Sequence, residues 1–399
     1  MRLSAVVVVL ALGCGSASGH RASDPAPRAA TERVLVSGPI DRDATPETRA
    51  LFHNLRRLAS QHVLFGHQDD LAYGYDWVAE PGRSDVKDVT GSFPAVYGWE
   101  LSGLETGKAA NIDGVEFARM RGWIAEGYRR GGVITASWHM DNPVTGGNAW
   151  DTTSAVAAIL PGGARHAQFT QSLDRLAEFL GSLRGPGRSS GGRDTPIPVI
   201  FRPWHEMTGG WFWWGLPHTT SYEYQRLWRF TVAYLRDVRG LHNLLYAYAP
   251  NASGADGIGT YMAGYPGDGY VDVLGYDSYF SDTRRPGDVA SLTQSLSWLV
   301  AQAESRNKIP ALTETGLQAL RDSSFWTARL ASAIKGDSVS RRIAYVMVWR
   351  NANRHTRTDE HFYVPYLGQA TADDFRRFKA DPLFRFEDAL PDLYRTASQ

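Results

Sequence analysis

A chain of 399 residues with 43% hydrophobic content is long enough for one large domain or two medium ones. Lys and Arg together number 42 and so do Asp and Glu, a formal net charge of zero that argues against a basic face for nucleic acid or membrane and against a polyanionic substrate. The 13 Trp and 18 Tyr point instead to a ligand with apolar faces edged by hydroxyls, because aromatic planes stack on sugars while polar groups bond their hydroxyls.

In chain order, Arg2 precedes an apolar run from Leu3 to Leu12 that is too short to span a bilayer as a folded helix but suits the core of a signal peptide. The segment Leu10-Ala11-Leu12-Gly13-Cys14 then resembles the lipobox of bacterial lipoproteins, with Ala11 where Leu is usual; cleavage after Ala17 is the alternative. Either reading predicts export, to the outer membrane or cell surface as a lipoprotein anchored at Cys14, or otherwise to the periplasm or medium. Cys14 is the only cysteine, so the part that folds has no disulfide and no thiol metal site. Residues 15–33 are small, polar and Pro-containing and read as a flexible linker, which leaves 34–399 as one catalytic domain, expected to be a monomer.

Within that domain eight short apolar runs recur, each ending in polar or aromatic residues: Val63 to Gly66, Pro94 to Trp99, Gly132 to Trp138, Ile197 to Trp204, Asn243 to Ala249, Val271 to Tyr276, Ile309 to Thr313 and Ile343 to Trp349. Helical periodicity separates most of them. One stripe is Phe169, Leu173, Leu176, Leu180 and Leu183; another is Leu227, Phe230, Thr231, Tyr234, Leu235 and Val238, opened by a Thr220/Glu223 capping box and stopped at Gly240. Gly185 to Pro196 reads as a surface loop, and Asn251 to Tyr270 shows no helical pattern. Eight strands alternating with helices predict a (β/α)8 TIM barrel, whose catalytic groups sit where strands end and loops begin.

The strand ends carry the chemistry. The first ends in Gly66-His67-Gln68-Asp69-Asp70, the third in Trp138-His139 and the fourth in Trp204-His205-Glu206. The sixth ends in Asp277-Ser278-Tyr279, the seventh in Glu314-Thr315-Gly316 and the eighth in Trp349-Arg350-Asn351. In a barrel, Glu206 and Glu314 face each other across the mouth. Two carboxylates so placed serve glycoside hydrolysis, about 5 to 5.5 Å apart in retaining enzymes and roughly 6.5 to 9.5 Å apart in inverting ones. One must be protonated to donate to the leaving oxygen while the other is ionised. Glu206, among aromatic neighbours, is the expected acid/base; Glu314 is the expected nucleophile, with Tyr279 donating a hydrogen bond to it.

These segments carry a family resemblance. Arg202-Pro203-Trp204-His205-Glu206 with Trp211-Phe212-Trp213-Trp214-Gly215, then Thr313-Glu314-Thr315-Gly316, supported by Gly66-His67-Gln68, Ser137-Trp138-His139 and Val348-Trp349-Arg350-Asn351, resemble glycoside hydrolase family 26, and the likeness runs from about Val34 to Phe386. The resemblance implies a retaining (β/α)8 hydrolase of the endo-β-1,4-mannanase type with Glu206 as acid/base and Glu314 as nucleophile. His205 precedes the acid where most relatives in the wider clan have Asn. It also implies that His139, His205, Trp211, Tyr279 and Trp349 neighbour the cleaved sugar, that Arg350 reaches the next sugar outward, that Trp150 is a further sugar platform and that Asp277 lies close by.

Other residues read as structural. Arg202 is expected to orient the glutamates through charge-assisted hydrogen bonds, Trp204, Trp213 and Trp214 to pack the barrel rim, and His67 to anchor a loop as readily as to line the site. His67, His139 and His205 could in principle hold zinc, but no local HxxxH pair is present and two carboxylates need no metal, so neither metal nor cofactor is expected. Gly162-Gly163 and Gly191-Gly192 do not form a phosphate-binding signature. The predicted partner is a polysaccharide of the β-mannan class. The alternatives are an endo-β-1,3-xylanase or mixed-linkage β-glucanase of the same family, or a non-catalytic surface glycan-binding protein.

Overall fold

The eight apolar runs close on themselves. In the computed structural model, which describes residues 38–188, 193–251, 260–282, 287–357 and 359–395, they form β1 (Val63–Gln68), β2 (Val96–Glu100), β3 (Val133–Trp138), β4 (Val199–Pro203), β5 (Leu244–Tyr248), β6 (Val273–Tyr279), β7 (Ile309–Gly316) and β8 (Tyr345–Val348). Every neighbouring pair is parallel and consecutive, and β8 pairs back onto β1 in a register running from Leu64 opposite Tyr345 to His67 opposite Val348. This is a closed (β/α)8 barrel, as the alternation of strand and helix signals predicts. Each strand is enclosed by side chains inside and helices outside, so the strands read as continuous apolar runs rather than alternating ones.

The interior is filled rather than hollow. Gly98 of β2 shows how tightly: a Cβ there would stand 2.1 Å from Gln68 Oε1 and 2.8 Å from Met347 Sδ, so any side chain would have to displace the ends of both. Outside, helices such as Pro46–Ala59, Phe117–Arg129, His166–Gly181, Ser221–Ala233 and Asp288–Ser305 lay apolar stripes on the strands. The capping box at Thr220 and Glu223 is present in full, and Gly240 ends that segment with φ 64°. The stripe does not run to Val238 as its periodicity predicts. After Ala233 the helix widens into a π turn over Tyr234–Val238, and the extra residue in the turn rotates Val238 out to 66% exposure.

The segment Gly185 to Pro196 also departs from expectation. Its flanks, Arg184–Pro186 and Asp194–Pro196, pair as a short antiparallel ladder that satisfies backbone groups where the side chains show no pattern. Residues 189–192 fall outside the described residues, as do the leader with Cys14, the 15–33 linker, and 252–259 of the stretch that lacks a helical pattern.

Candidate active site

The end of β4 leaves regular geometry abruptly. Trp204 and Glu206 both adopt positive φ, 51° and 55°, a region that costs side-chain-bearing residues on the order of 1 kcal/mol or more each. Three hydrogen bonds hold the turn: the Tyr224 hydroxyl to the Trp204 carbonyl (2.7 Å), Trp214 Nε1 to the His205 carbonyl (2.8 Å) and the Glu206 N–H to the Ala249 carbonyl (2.7 Å). The turn sends Trp204 into the core, where its ring lies 5.1 Å from Trp138, 5.5 Å from Trp213 and 5.7 Å from Trp214. These are the rim-packing indoles the sequence suggests. Glu206 remains at the cleft surface, where Trp211 Nε1 donates to its Oε2 at 2.7 Å.

Glu314 arrives by a second irregularity. Between Leu312 and Glu314, β7 carries one residue more than β6 opposite Tyr276 and Asp277, and the register with β8 slips similarly. A bulge of this kind re-aims side chains at a barrel rim. Thr313 donates to Asp277 Oδ1 at 2.6 Å, while both Glu314 oxygens accept: Tyr279 OH donates to Oε1 and Arg202 Nη2 to Oε2, each at 2.5 Å. Arg202 also bonds Asp277 Oδ2 at 2.5 Å. The guanidinium therefore ties Glu314 to Asp277, with no bond to Glu206 itself. Burial works against its charge, but Asp277 and Glu314 hold its pKa above the ordinary value.

The two glutamates differ in surroundings. Loss of water raises Glu206, the charge of Glu314 raises it further, and the Trp211 bond opposes both, leaving it at about 7. Glu206 can therefore carry a proton near neutral pH beside a carboxylate whose oxygens are both held by donors.

His139 and His205 form the floor beside this pair. Their Nε2 atoms lie 3.1 Å apart, and His139 Nδ1 meets Glu100 Oε2 at 2.8 Å. Burial disfavours charge on both rings, but Glu100 overcomes it for His139, whose pKa is raised; His205, without such a partner and beside Arg202 and His139, is pushed well below the ordinary range. Glu100 itself is brought down to about 2 against burial, by His139, Ser137 and the His139 backbone N–H.

Around the floor stand aromatic walls. Trp150 stacks on His139 with centroids 5.3 Å apart and planes 11° from parallel, Phe212 meets both rings, and Trp349 approaches His139 at 6.3 Å. Trp150, Trp211 and Tyr279 are among the large apolar side chains left exposed, at 47%, 40% and 41%. The structure thus brings Glu206, Glu314, His139, His205, Trp150, Trp211, Tyr279 and Trp349 together at one mouth. Arg350 belongs to an adjoining group, with Asp113 at 2.7 Å and the Tyr73 hydroxyl at 3.3 Å.

His67 meets Asp70 at 2.8 Å, which in turn accepts from Ser84, so it anchors the β1 loop. It does not join the other two histidines, and among the described residues no three metal-type ligands assemble. The sequence reading missed Glu100 and Phe212. Glu100 had the same signal as its neighbours, a carboxylate at the end of a barrel strand; Phe212 had none apart from its place among the indoles.

Comparison with known proteins places this geometry. The model of glycosyl hydrolase family 26 matches residues 40–349. Among curated proteins, a mannan endo-1,4-beta-mannosidase of Bifidobacterium adolescentis is 38% identical over 85% of this chain, and the match spans about a third (34%) of that relative's length. A mannan endo-1,4-beta-mannosidase of Bacillus subtilis is 30% identical over 74% of this chain and 78% of its own. Among solved structures, a GH26 beta-mannanase from Bacteroides ovatus superposes with a TM-score of 0.82 at 42% identity, covering 89% of this chain and 99% of that one.

Proposed function

This chain belongs to glycosyl hydrolase family 26, and we propose that it hydrolyses internal β-1,4-mannosidic bonds of mannan, galactomannan or glucomannan with net retention of configuration. The observation that carries the reading is the contrast between the carboxyl groups: Glu206 is raised to about 7 beside Glu314, whose oxygens both accept hydrogen bonds from Arg202 and Tyr279. That contrast supports a division of labour between acid and nucleophile.

In the first step Glu314 attacks the anomeric carbon while Glu206 gives its proton to the departing glycosidic oxygen, producing a covalent glycosyl-enzyme and a shortened chain. In the second, Glu206 takes a proton from water, the water oxygen attacks the same carbon and Glu314 leaves. The Tyr279 hydroxyl and Arg202 keep Glu314 aimed through both steps. His139, held in place by Glu100, and His205 line the cleaved sugar together with Trp211 and Trp349, while Trp150 offers a further platform and Arg350 meets the next sugar outward. The chemistry draws on these side chains alone and calls for no cofactor.

The test is a substrate panel of galactomannan, glucomannan, β-1,3-xylan and lichenan with the products sized. Rapid fall in chain length on the mannans alone is the expected result. Preference for xylan or lichenan would reassign the substrate within the family, and binding without cleavage would make the chain a glycan-binding protein.

Export with a lipid anchor at Cys14, and action as a monomer, complete the proposal. The motif Leu10 to Cys14 supports the anchor. Membrane partitioning of the full chain that disappears in Cys14→Ser is the expected outcome; equal release of both forms would reject it.

A further inference from the structure

Glu206 and the indole that bonds it lie on one short turn, with a buried glycine between them. The Gly209 backbone N–H donates to the Glu206 carbonyl at 2.9 Å and closes the turn, and from Trp211 the Nε1–H reaches back to Glu206 Oε2 at 2.7 Å. The spacing in the chain does not by itself require that second bond. Trp211 is 40% exposed, and a side chain at a cleft wall is free to choose a rotamer that turns it out to water.

The surface beneath the ring makes the choice. A Cβ built on Gly209 would stand 2.4 Å from Trp211 Cη2, 2.5 Å from Cζ2 and 2.6 Å from Cζ3, so the six-membered half of the indole rests against the bare Cα. The peptide cannot easily withdraw from an added methyl group. Its carbonyl oxygen is packed against Gly215, where a Cβ would stand 2.3 Å from it, and the loop is closed by hydrogen bonds from Gly215 N–H to the Phe212 carbonyl (2.9 Å) and from Leu216 N–H to the Met207 carbonyl (2.7 Å). Gly209 is not one of the glycines with positive φ, so space at its Cα, and not backbone conformation, is what a side chain would violate.

We propose that Gly209 is a positioning residue for the acid: its bare Cα is the seat that turns the Trp211 indole toward Glu206 Oε2, and a side chain there swings Nε1 away. The proposal rests on the reading of Glu206 as the acid/base. The bond so secured opposes burial and the charge of Glu314, which both raise Glu206. The other groups that face this carboxyl are Glu314 on β7, Asp277 and Tyr279 on β6, Arg202 on β4 and His139 after β3. All come from outside the turn, and the atoms nearest the added Cβ all belong to Trp211, so the substitution acts on the indole.

The experiment follows the indole N–H resonances of the full chain by NMR as a function of pH, the Trp211 signal being the one that Trp211→Phe removes. In the wild type it is expected to shift with an inflection near the Glu206 pKa, about 7, and in Gly209→Ala that inflection is expected to disappear. The alkaline limb of kcat/KM on mannotetraose should move up in Gly209→Ala as far as in Trp211→Phe, roughly half to one pH unit. It should move no further in Gly209→Ala/Trp211→Phe, because a phenyl ring stops short of the atoms the methyl would meet. A merely structural role lowers the amount of active enzyme without moving the limb. A Trp211 signal that does not follow Glu206 in the wild type, or that still follows it in Gly209→Ala, overturns the proposal, and so does a limb that stays in place. If Gly209→Ala does not fold, recovery in the double variant assigns the collision to the indole, whereas loss of folding in both places the need for glycine in the backbone and overturns the proposal. The NMR titration needs no substrate, so a wild type whose signal titrates but which leaves mannan uncut rejects the substrate reading and not the seat.

Discussion

Replacing Trp211 by phenylalanine retains a ring at the cleft wall and removes one hydrogen, the Nε1–H that Glu206 Oε2 accepts at 2.7 Å. A hydrogen bond to an ionised acceptor contributes about 1.5–3 kcal/mol when buried. Trp211 is 40% exposed, so water replaces part of that, and roughly half remains. Dividing by about 1.36 kcal/mol per unit predicts a change of roughly half to one pH unit. The sign follows from which form the bond favours. It stabilises the carboxylate, so its loss favours the acid and moves the Glu206 pKa upward from about 7. Glycosyl transfer needs Glu206 protonated, and kcat/KM reports the free enzyme, so the alkaline limb of its pH profile on mannotetraose should shift up by that amount. Loss of sugar stacking changes the height of the profile and not the position of the limb. An alkaline limb that stays in place or moves to lower pH would refute the reasoning.

The same geometry makes other quantities measurable. Glu206→Ala should lose roughly 10²–10⁴-fold on mannan but far less in the first step on a substrate with an activated leaving group, and azide should restore turnover as a β-mannosyl azide; uniform loss on both substrates would mean that Glu206 is not the acid. Arg202→Met leaves Asp277 and Glu314 side by side without their shared cation and should destabilise the fold by about 3–5 kcal/mol in urea denaturation, with activity falling as well; a stability change under about 1 kcal/mol would show that the buried ion group is not structural. Gly98→Ala forces a Cβ against Gln68 and Met347 and should cost about 1–3 kcal/mol by the same assay, whereas an unchanged midpoint would mean the barrel interior yields there.

The fold was legible because every barrel strand is an apolar run with a polar terminus, from Val63 to Gln68 round to Tyr345 to Val348, and the intervening helices keep an amphipathic period. Both glutamates were legible for the same reason, each following such a run. The means of aiming them was not: the left-handed backbone at Trp204 and Glu206 and the bulge in β7 involve residues with no preference for those conformations, and the first of these is held by bonds to the Tyr224 hydroxyl, Trp214 Nε1 and the Ala249 carbonyl, all outside the turn. Arg202 was expected to orient both glutamates, yet it bonds Glu314 and Asp277, a choice that depends on register across the barrel. Helical spacing likewise predicted Val238 inside, and one π turn put it outside.

The central claim is that Glu314 forms a covalent bond to the sugar while Glu206 supplies and recovers the proton. Incubation with an activated 2-deoxy-2-fluoro-β-mannoside slows the second step more than the first, and mass spectrometry of the digested protein locates the trapped sugar. The account predicts one fluorosugar per chain, on the peptide that contains Glu314. A sugar on another residue, or turnover with inverted product and no adduct, would contradict it.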